Sequence, residues 1–152
     1  MKLIGVGNRW RGDDGAGLLV AAAVGARRPA GVEVVEHAGE PIELIEACDG
    51  AAAVWIVDAV CSGGTPGTVY RIDAAAGPLP SALFAVSTHA LGLADAIELA
   101  RALGRLPAQV SVYGIEASRF EPGEPPSPPV ALAAEQLADA LVEELARCAL
   151  AG

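Results

Sequence analysis

Three residues that can bind a metal ion, Asp14, Asp58 and His89, lie at or near the ends of apolar segments of the chain. Asp14 follows a short apolar run and a glycine-rich loop, Asp58 ends a second apolar run, and His89 lies in a later polar segment. Two carboxylates and one imidazole are a suitable ligand set for a divalent metal that keeps coordination positions open. The set predicts metal-assisted chemistry, provided that the fold brings the three side chains together.

Each of these residues also has a simpler structural explanation. Asp13 could cap a helix with Asp14 in its first turn, where acidic side chains complement the helix dipole. Asp58 could be a loop aspartate that accepts hydrogen bonds, and His89 could be a partly buried histidine bonded to nearby backbone. Asp58 favours the site interpretation, because a carboxylate that ends an apolar strand must be solvated, paired or bound to a metal.

Two further residues have weaker claims on the same site. His37 ends the second apolar strand, where a contact with substrate or with a ligand residue is more in keeping than direct ligation. Cys61 follows Asp58 closely and could be a soft metal ligand, although a small buried hydrophobic side chain is the default interpretation. The other cysteines, Cys48 and Cys148, form no C-x-x-C pair, which favours a reducing compartment over a disulfide framework.

The glycine-rich first loop does not fit a nucleotide site. After Gly5 and Gly7, a dinucleotide fingerprint would need a third glycine at the position of Trp10. Gly7 and Gly12 have P-loop spacing, but two aspartates replace the required lysine and hydroxyl residue, and their charge repels phosphate. The chain also lacks the G-x-S-x-G sequence of the serine-dependent α/β-hydrolases.

Charge and composition exclude several classes of partner. The chain has 152 residues, of which 53% are hydrophobic and 4% aromatic, and its net charge is −9. This charge disfavours nucleic acid and anionic membrane surfaces, which both require clustered lysine and arginine. The N-terminal apolar run is too short for a signal peptide, and no stretch resembles a membrane span. We therefore expect one cytoplasmic domain over residues 1–152.

The order of elements predicts an α/β fold. Strands are predicted at residues 2–6, 32–35, 52–60, 68–72 and 110–115, and helices at 15–26, from 41 to a stop at 50, from a cap at Ser87 or Thr88 through 103, and from 130 onward. The apolar run that begins at residue 52 is unbroken up to Asp58 and requires cover on both faces, and the short glycine-rich link after the strand indicates a hairpin with the next strand.

The predicted architecture is a single three-layer α/β/α domain. It contains a mostly parallel five-stranded sheet with one antiparallel strand and has helices on both faces. The carboxyl ends of parallel strands meet at one edge of such a sheet. We therefore expect the side chains of Asp14, Asp58 and His89 to converge at that edge.

The loop at residues 116–129 contains five prolines and three glutamates. Such a composition leaves few side chains to bury, so we expect the loop to be mobile or held only by its own turns. We also expect it to border the crevice and to touch a substrate.

The residues named above resemble the signatures of the hydrogenase maturation protease family. The matching segments are Gly5-Val6-Gly7-Asn8 with Gly12-Asp13-Asp14-Gly15-Ala16-Gly17, Val57-Asp58-Ala59, Ser87-Thr88-His89-Ala90-Leu91, and the closing Tyr113-Gly114-Ile115-Glu116, Pro122-Gly123 and Ser127-Pro128. The chain departs from the family pattern in two places. Glu36-His37-Ala38-Gly39 replaces an acidic residue followed by two glycines, and Asp14 occupies a position where many members have glutamate.

The resemblance implies an endopeptidase that removes a C-terminal extension from the nickel-loaded large-subunit precursor of a nickel–iron hydrogenase. It implies that Asp14, Asp58 and His89 are the catalytic and metal-contacting residues. Nickel would arrive with the precursor, and other divalent metals could occupy the same site. The metal would polarise the scissile carbonyl or activate a water, or one carboxylate would act as general base.

Two other classes of function stay open at the level of the sequence. The chain could be a non-catalytic, metal-dependent checkpoint or chaperone protein that binds the same precursor without cutting it. It could also be a small-ligand α/β module whose acidic crevice binds only a cation. Loss of mass from a nickel-loaded precursor would separate the protease from both alternatives.

Overall fold

A five-stranded sheet with helices on both faces forms the framework of the chain. A computed structural model describes residues 1–84 and 92–151. The strands are β1 (Lys2–Val6), β2 (Glu33–His37), β3 (Ala53–Val60), β4 (Val69–Asp73) and β5 (Gln109–Glu116). The helices are α1 (Ala16–Arg27), preceded by a 3-10 turn at Gly12–Gly15, then α2 (Pro41–Cys48), α3 (Leu93–Ala102) and α4 (Pro128–Ala151).

The strand order is β2-β1-β3-β5-β4, and every neighbouring pair is parallel except β4 with β5. This confirms the predicted fold class, a mostly parallel sheet with one antiparallel strand. The predicted hairpin between β3 and β4 is wrong, because β5 lies between these two strands. The burial pattern explains the order. β5 is buried along most of its length and needs an interior position, whereas alternate residues of β4 are exposed, as suits an edge.

The order in which strands are added to the sheet changes side at β1. The chain passes from β1 through α1 to β2 on one side of β1, and then returns through α2 to β3 on the other side. In open α/β sheets a crevice forms at such a switch point, outside the carboxyl ends of the strands. The fold therefore provides a crevice at the carboxyl ends of β1 and β3.

Two apolar layers enclose the sheet. One layer contains α1, α4 and alternate sheet residues such as Leu3 and Val57, and the other contains α2, α3 and residues such as Ile4 and Ile56. On α4, the five apolar positions predicted to face the core are all buried: Val130, Ala134, Leu137, Leu141 and Leu145. None of the described helices combines the length and hydrophobicity needed to cross a bilayer.

Helix α3 begins later than the sequence predicted. Its first residue is Leu93, and the N-cap is Gly92, whose backbone N–H donates to the carboxylate of Asp95 at 3.2 Å. Ser87 and Thr88, which were the predicted caps, lie outside the described residues. The acid three residues after the cap thus satisfies the backbone N–H of the N-cap residue itself, whereas glycine offers no side-chain acceptor to the first turn.

Glycines allow α1 to approach the sheet unusually closely. A Cβ atom added at Gly17 would lie 2.3 Å from the carbonyl oxygens of both Val6 and Val57. A Cβ added at Gly5 would lie 2.2 Å from the carbonyl oxygen of Gly17. The first turn of α1 is thus packed directly against the carboxyl ends of β1 and β3, beside the crevice. The glycine-rich first segment therefore serves close helix–sheet packing.

Helix α4 is attached to the sheet by one polar group as well as by its apolar face. The carboxylate of Glu144 accepts hydrogen bonds from the indole N–H of Trp55 at 2.8 Å and from the Tyr113 hydroxyl at 2.7 Å. Arg71 donates to the same carboxylate at 3.2 Å. These bonds compensate the burial of three polar groups and hold Trp55 in the core, where it is 4% exposed.

Candidate active site

Asp14 lies at the mouth of the crevice, in the 3-10 turn between β1 and α1. The turn is closed by two backbone hydrogen bonds, from Asn8 N–H to the Asp14 carbonyl at 3.1 Å and from Asp14 N–H to the Arg11 carbonyl at 3.1 Å. Gly7 makes this arrangement possible, because its φ is +153° and an added Cβ would lie 1.9 Å from the Asp14 carbonyl. The Asp14 carboxylate lies 3.7 Å from the Arg11 guanidinium and its side chain is 19% exposed.

Asp58 lies within β3, two residues before the strand ends at Val60. The strand predicted at residues 52–60 is observed, but Asp58 lies inside it and not, as had also been predicted, at its end. The strand continues because β5 pairs with it along its whole length, including Asp58 with Gly114. β1, in contrast, ends at Val6, and its pairing with β3 stops at Val57. Asp58 is consequently next to the open crevice on its β1 side, although it is inside a strand.

The two aspartates influence each other electrostatically. Burial is the main cause that raises the pKa of Asp58 to about 8, and the negative charge of Asp14 raises it further. A hydrogen bond of 2.8 Å from the Ala59 backbone N–H to the Asp58 carboxylate opposes these effects but is weaker than their sum. A carboxyl group with a pKa near 8 is expected where a cation or a proton must normally compensate the charge.

The third predicted ligand, His89, lies outside the described residues. Within residues 1–84 and 92–151, no group of three or more histidine, cysteine, aspartate and glutamate side chains could hold a metal ion. The described part of the site therefore supplies two carboxylates, from Asp14 and Asp58. That these residues and His89 act as ligands stays a prediction.

Asp13 has a structural role that the sequence did not reveal. Its side chain is fully buried and does not cap α1. Instead, its carboxylate accepts hydrogen bonds from the backbone N–H groups of Ser118, Arg119 and Ser127, at 2.9, 3.0 and 2.6 Å, and from the Ser127 hydroxyl at 3.0 Å. Burial alone would raise the pKa of Asp13, but these hydrogen bonds together hold it below the ordinary value.

The loop at residues 116–129 is held by contacts with the rest of the chain, so the prediction that it is mobile or held only by its own turns is wrong. Besides the bonds to Asp13, its Glu124 carbonyl accepts from the N–H of Gly12, and the N–H of Gly123 donates to the Trp10 carbonyl. At its start, buried Glu116 accepts from Ser62 and from the Gly64 N–H, at 2.7–3.2 Å. The composition of the loop indicated few apolar contacts, but it gave no sign that the buried carboxylates of Asp13 and Glu116 would hold the loop by hydrogen bonds.

Replacing Asp13 with asparagine should lower the free energy of unfolding by about 2–4 kcal/mol, because the amide directs a donor at groups that are themselves donors. The loss should be largest above pH 4. A carboxylate with a lowered pKa contributes stability above its ordinary pKa and loses that contribution as the pH falls through its folded pKa. Denaturant unfolding at pH 7 and pH 3, with limited proteolysis of the loop, measures both effects. Asp139→Asn, on the exposed side of α4, is the control, and an equal effect of the two changes would contradict this role.

His37 borders a groove next to the crevice, whereas Cys61 is partly exposed in the loop after β3. The imidazole Nδ1 of His37 accepts a hydrogen bond of 2.9 Å from the Gly39 backbone N–H, which places the proton of the neutral ring on Nε2.

All three cysteines are free thiols, in agreement with the absence of C-x-x-C spacing.

Comparison with known proteins agrees with this architecture. The hydrogenase maturation protease family matches residues 20–144. The chain belongs to this family. The NiFe hydrogenase maturation protease HycI from Thermococcus kodakarensis KOD1 superposes with a TM-score of 0.74 at 26% identity, covering 96% of this chain and 91% of that one. The endopeptidase HycI from Escherichia coli superposes with a TM-score of 0.71 at 30% identity, covering 94% and 90%.

Some relatives of this maturation protease are longer than the chain itself. The hydrogenase expression/formation protein HupD from Rhodobacter capsulatus is 26% identical over 121 residues, which are 78% of this chain and 58% of the relative. The chain thus spans less than two thirds of the length of the curated relatives that it matches. The region matched by the family includes Asp58 and α4 as far as residue 144 but begins after Asp14.

Proposed function

We propose that this chain is an endopeptidase of hydrogenase maturation. Its substrate is the nickel-loaded large-subunit precursor of a nickel–iron hydrogenase, from which it removes a C-terminal extension. Membership of the hydrogenase maturation protease family supports the reaction class. The observation that carries the proposal is the pair formed by Asp14 and Asp58, two electrostatically coupled carboxylates at the switch-point crevice.

The pair favours a substrate that brings its own cation. Without a bound metal ion, the burial of Asp58 and the negative charge of Asp14 raise the pKa of Asp58 to about 8, which keeps it mostly protonated at neutral pH. A divalent ion carried by the precursor would compensate both charges, so Asp58 would lose its proton as the substrate docks. A metal-free precursor offers no such compensation. Discrimination between loaded and unloaded precursor then follows from electrostatics, and other divalent ions such as zinc would be expected to compete.

In this proposal Asp14, Asp58 and His89 contact the nickel of the precursor. Held by these residues, the metal would polarise the scissile carbonyl or activate the attacking water. A carboxylate that is not engaged by the metal could accept a proton from that water as general base. The reaction forms a new carboxylate at the end of the mature subunit and a new amine on the released extension.

Incubation of the purified chain with a nickel-loaded precursor from the same genome tests the proposed function. We expect the intact mass of the precursor to fall by the mass of its C-terminal extension, and the released peptide to appear in the same spectrum. Stable binding without loss of mass would contradict the protease assignment and would indicate a checkpoint protein. Absence of both binding and cleavage would contradict any role in processing this precursor.

A further inference from the structure

Trp10 is an exposed aromatic residue on a firmly held loop. Its residue surface is 72% exposed, whereas the other tryptophan of the chain, Trp55, is 4% exposed. The exposure does not come from a loose backbone. The N–H of Trp10 donates to the Asn8 side chain at 2.9 Å, and its carbonyl accepts from the N–H of Gly123 at 2.7 Å. The protein thus holds a large apolar side chain in water at a fixed position, which is typical of a recognition surface.

A groove runs beside Trp10 along the carboxyl ends of β1 and β2. It has a volume of about 490 Å³, within the range of sites that bind small ligands or short peptide segments. Gly7 and Asn8 line the groove, and the Asn8 N–H donates to the backbone carbonyl of Asp14 at 3.1 Å, so the groove borders the turn that carries Asp14. Trp10 and Leu18 supply its apolar surface.

The polar groups of the groove fit an extended polypeptide. Asn8 and the ion pair between Arg9 and Glu36 offer hydrogen-bond donors and acceptors beside the apolar surface. A peptide backbone requires both kinds of partner, while its side chains can cover the indole ring and Leu18. A phosphate-rich partner is disfavoured by Glu36 and by the net charge of −9.

We infer that Trp10 and the groove beside it bind the extended segment of the precursor that carries the scissile bond, and that Trp10 is a specificity-determining residue. The inference rests on the proposed function, because it takes the precursor as the substrate. Trp10 would bind equally in the ground state and the transition state, since it lines the groove and is not one of the residues proposed to act on the scissile bond. Its loss should therefore raise KM and leave kcat nearly unchanged.

Kinetic comparison of variants gives the first test, with nickel-loaded precursor as substrate. We expect Trp10→Ala to raise KM about tenfold or more, with kcat within about twofold of the wild-type value. Trp10→Phe should restore most of the affinity, because it returns an aromatic surface. Leu103→Ala is the matched control, since Leu103 is also exposed, at 55%, but follows the last residue of α3 and does not line the groove. A wild-type KM for Trp10→Ala would overturn the inference while leaving the proposed function intact.

Fluorine NMR of the chain labelled with fluorotryptophan gives a second, direct test. The two tryptophans give two resonances, and the one missing from Trp10→Phe belongs to Trp10. Addition of unlabelled nickel-loaded precursor should shift or broaden the Trp10 resonance and leave that of buried Trp55 in place. The mature large subunit without its extension should produce a much smaller change. An unchanged Trp10 resonance, or an equal change with the mature subunit, would overturn the inference even if the precursor is cut normally.

Discussion

Replacing Gly17 with alanine should destabilise the protein by at least about 3 kcal/mol or prevent its folding. The new Cβ would lie 2.3 Å from two backbone carbonyl oxygens, those of Val6 and Val57. Backbone atoms of adjacent central strands cannot move aside as a flexible side chain can, so α1 must be displaced from the sheet. Chemical denaturation followed by circular dichroism measures the loss.

The same helix offers a matched control for this prediction. Gly25 also lies in α1, but a Cβ added there would meet its nearest neighbour, a methyl group of Val34, at an ordinary 3.7 Å. Gly25→Ala should therefore be neutral or should stabilise the protein by up to about 1 kcal/mol, because alanine favours the helix. Similar free energies of unfolding for the two variants would show that close packing at Gly17 does not determine the position of α1.

Replacing Asp58 with asparagine should separate stability from activity. The asparagine keeps an oxygen that can accept the Ala59 N–H but removes the ionisable group. The folded-state pKa of Asp58 is raised from 3.8 to about 8. Its folded form therefore resists ionisation, and the wild-type free energy of unfolding should decline as the pH rises between about 4 and 8.

The variant lacks this decline. Without added metal, it should match the wild type near pH 4 and be more stable by a few kcal/mol at pH 8, as measured by denaturant unfolding across that range. Cleavage of the nickel-loaded precursor should nevertheless fall by about a thousandfold or more. Asp139→Asn carries the same chemical change at an exposed ion pair and should alter neither property appreciably. A variant that is destabilised yet still cuts the precursor would assign Asp58 a purely structural role.

Much of the fold could be predicted from the sequence because local patterns determine it. β1 was predicted at the observed residues, since its short apolar run ends at Gly7, where a loop begins. The buried face of α4 was predicted from helical spacing, which a long helix repeats many times. The continuous apolar run of β3 correctly indicated a strand covered on both faces.

The misplaced features depend on contacts between distant parts of the chain. The predicted partner of β4 was wrong because strand order follows from relative burial. The observed partner, β5, begins about 40 residues after the start of β4. The anchoring of residues 116–129 was missed because it depends on Asp13, which lies more than 100 residues earlier. An aspartate directly before another aspartate looked like part of a helix N-terminus, and nothing local distinguishes that role from a buried acceptor.

If Asp14 and Asp58 act together on a nickel-bearing substrate, removing either carboxylate should abolish cleavage. Incubation of nickel-loaded and of metal-free precursor with the wild-type protein, Asp14→Asn or Asp58→Asn, followed by intact mass measurement of the precursor, tests this directly. We expect loss of the C-terminal extension only from the nickel-loaded precursor and only with the wild-type protein, while circular dichroism shows both variants folded. Equal cleavage of the metal-free precursor by the wild type, or cleavage at the wild-type rate by either variant, would contradict the account.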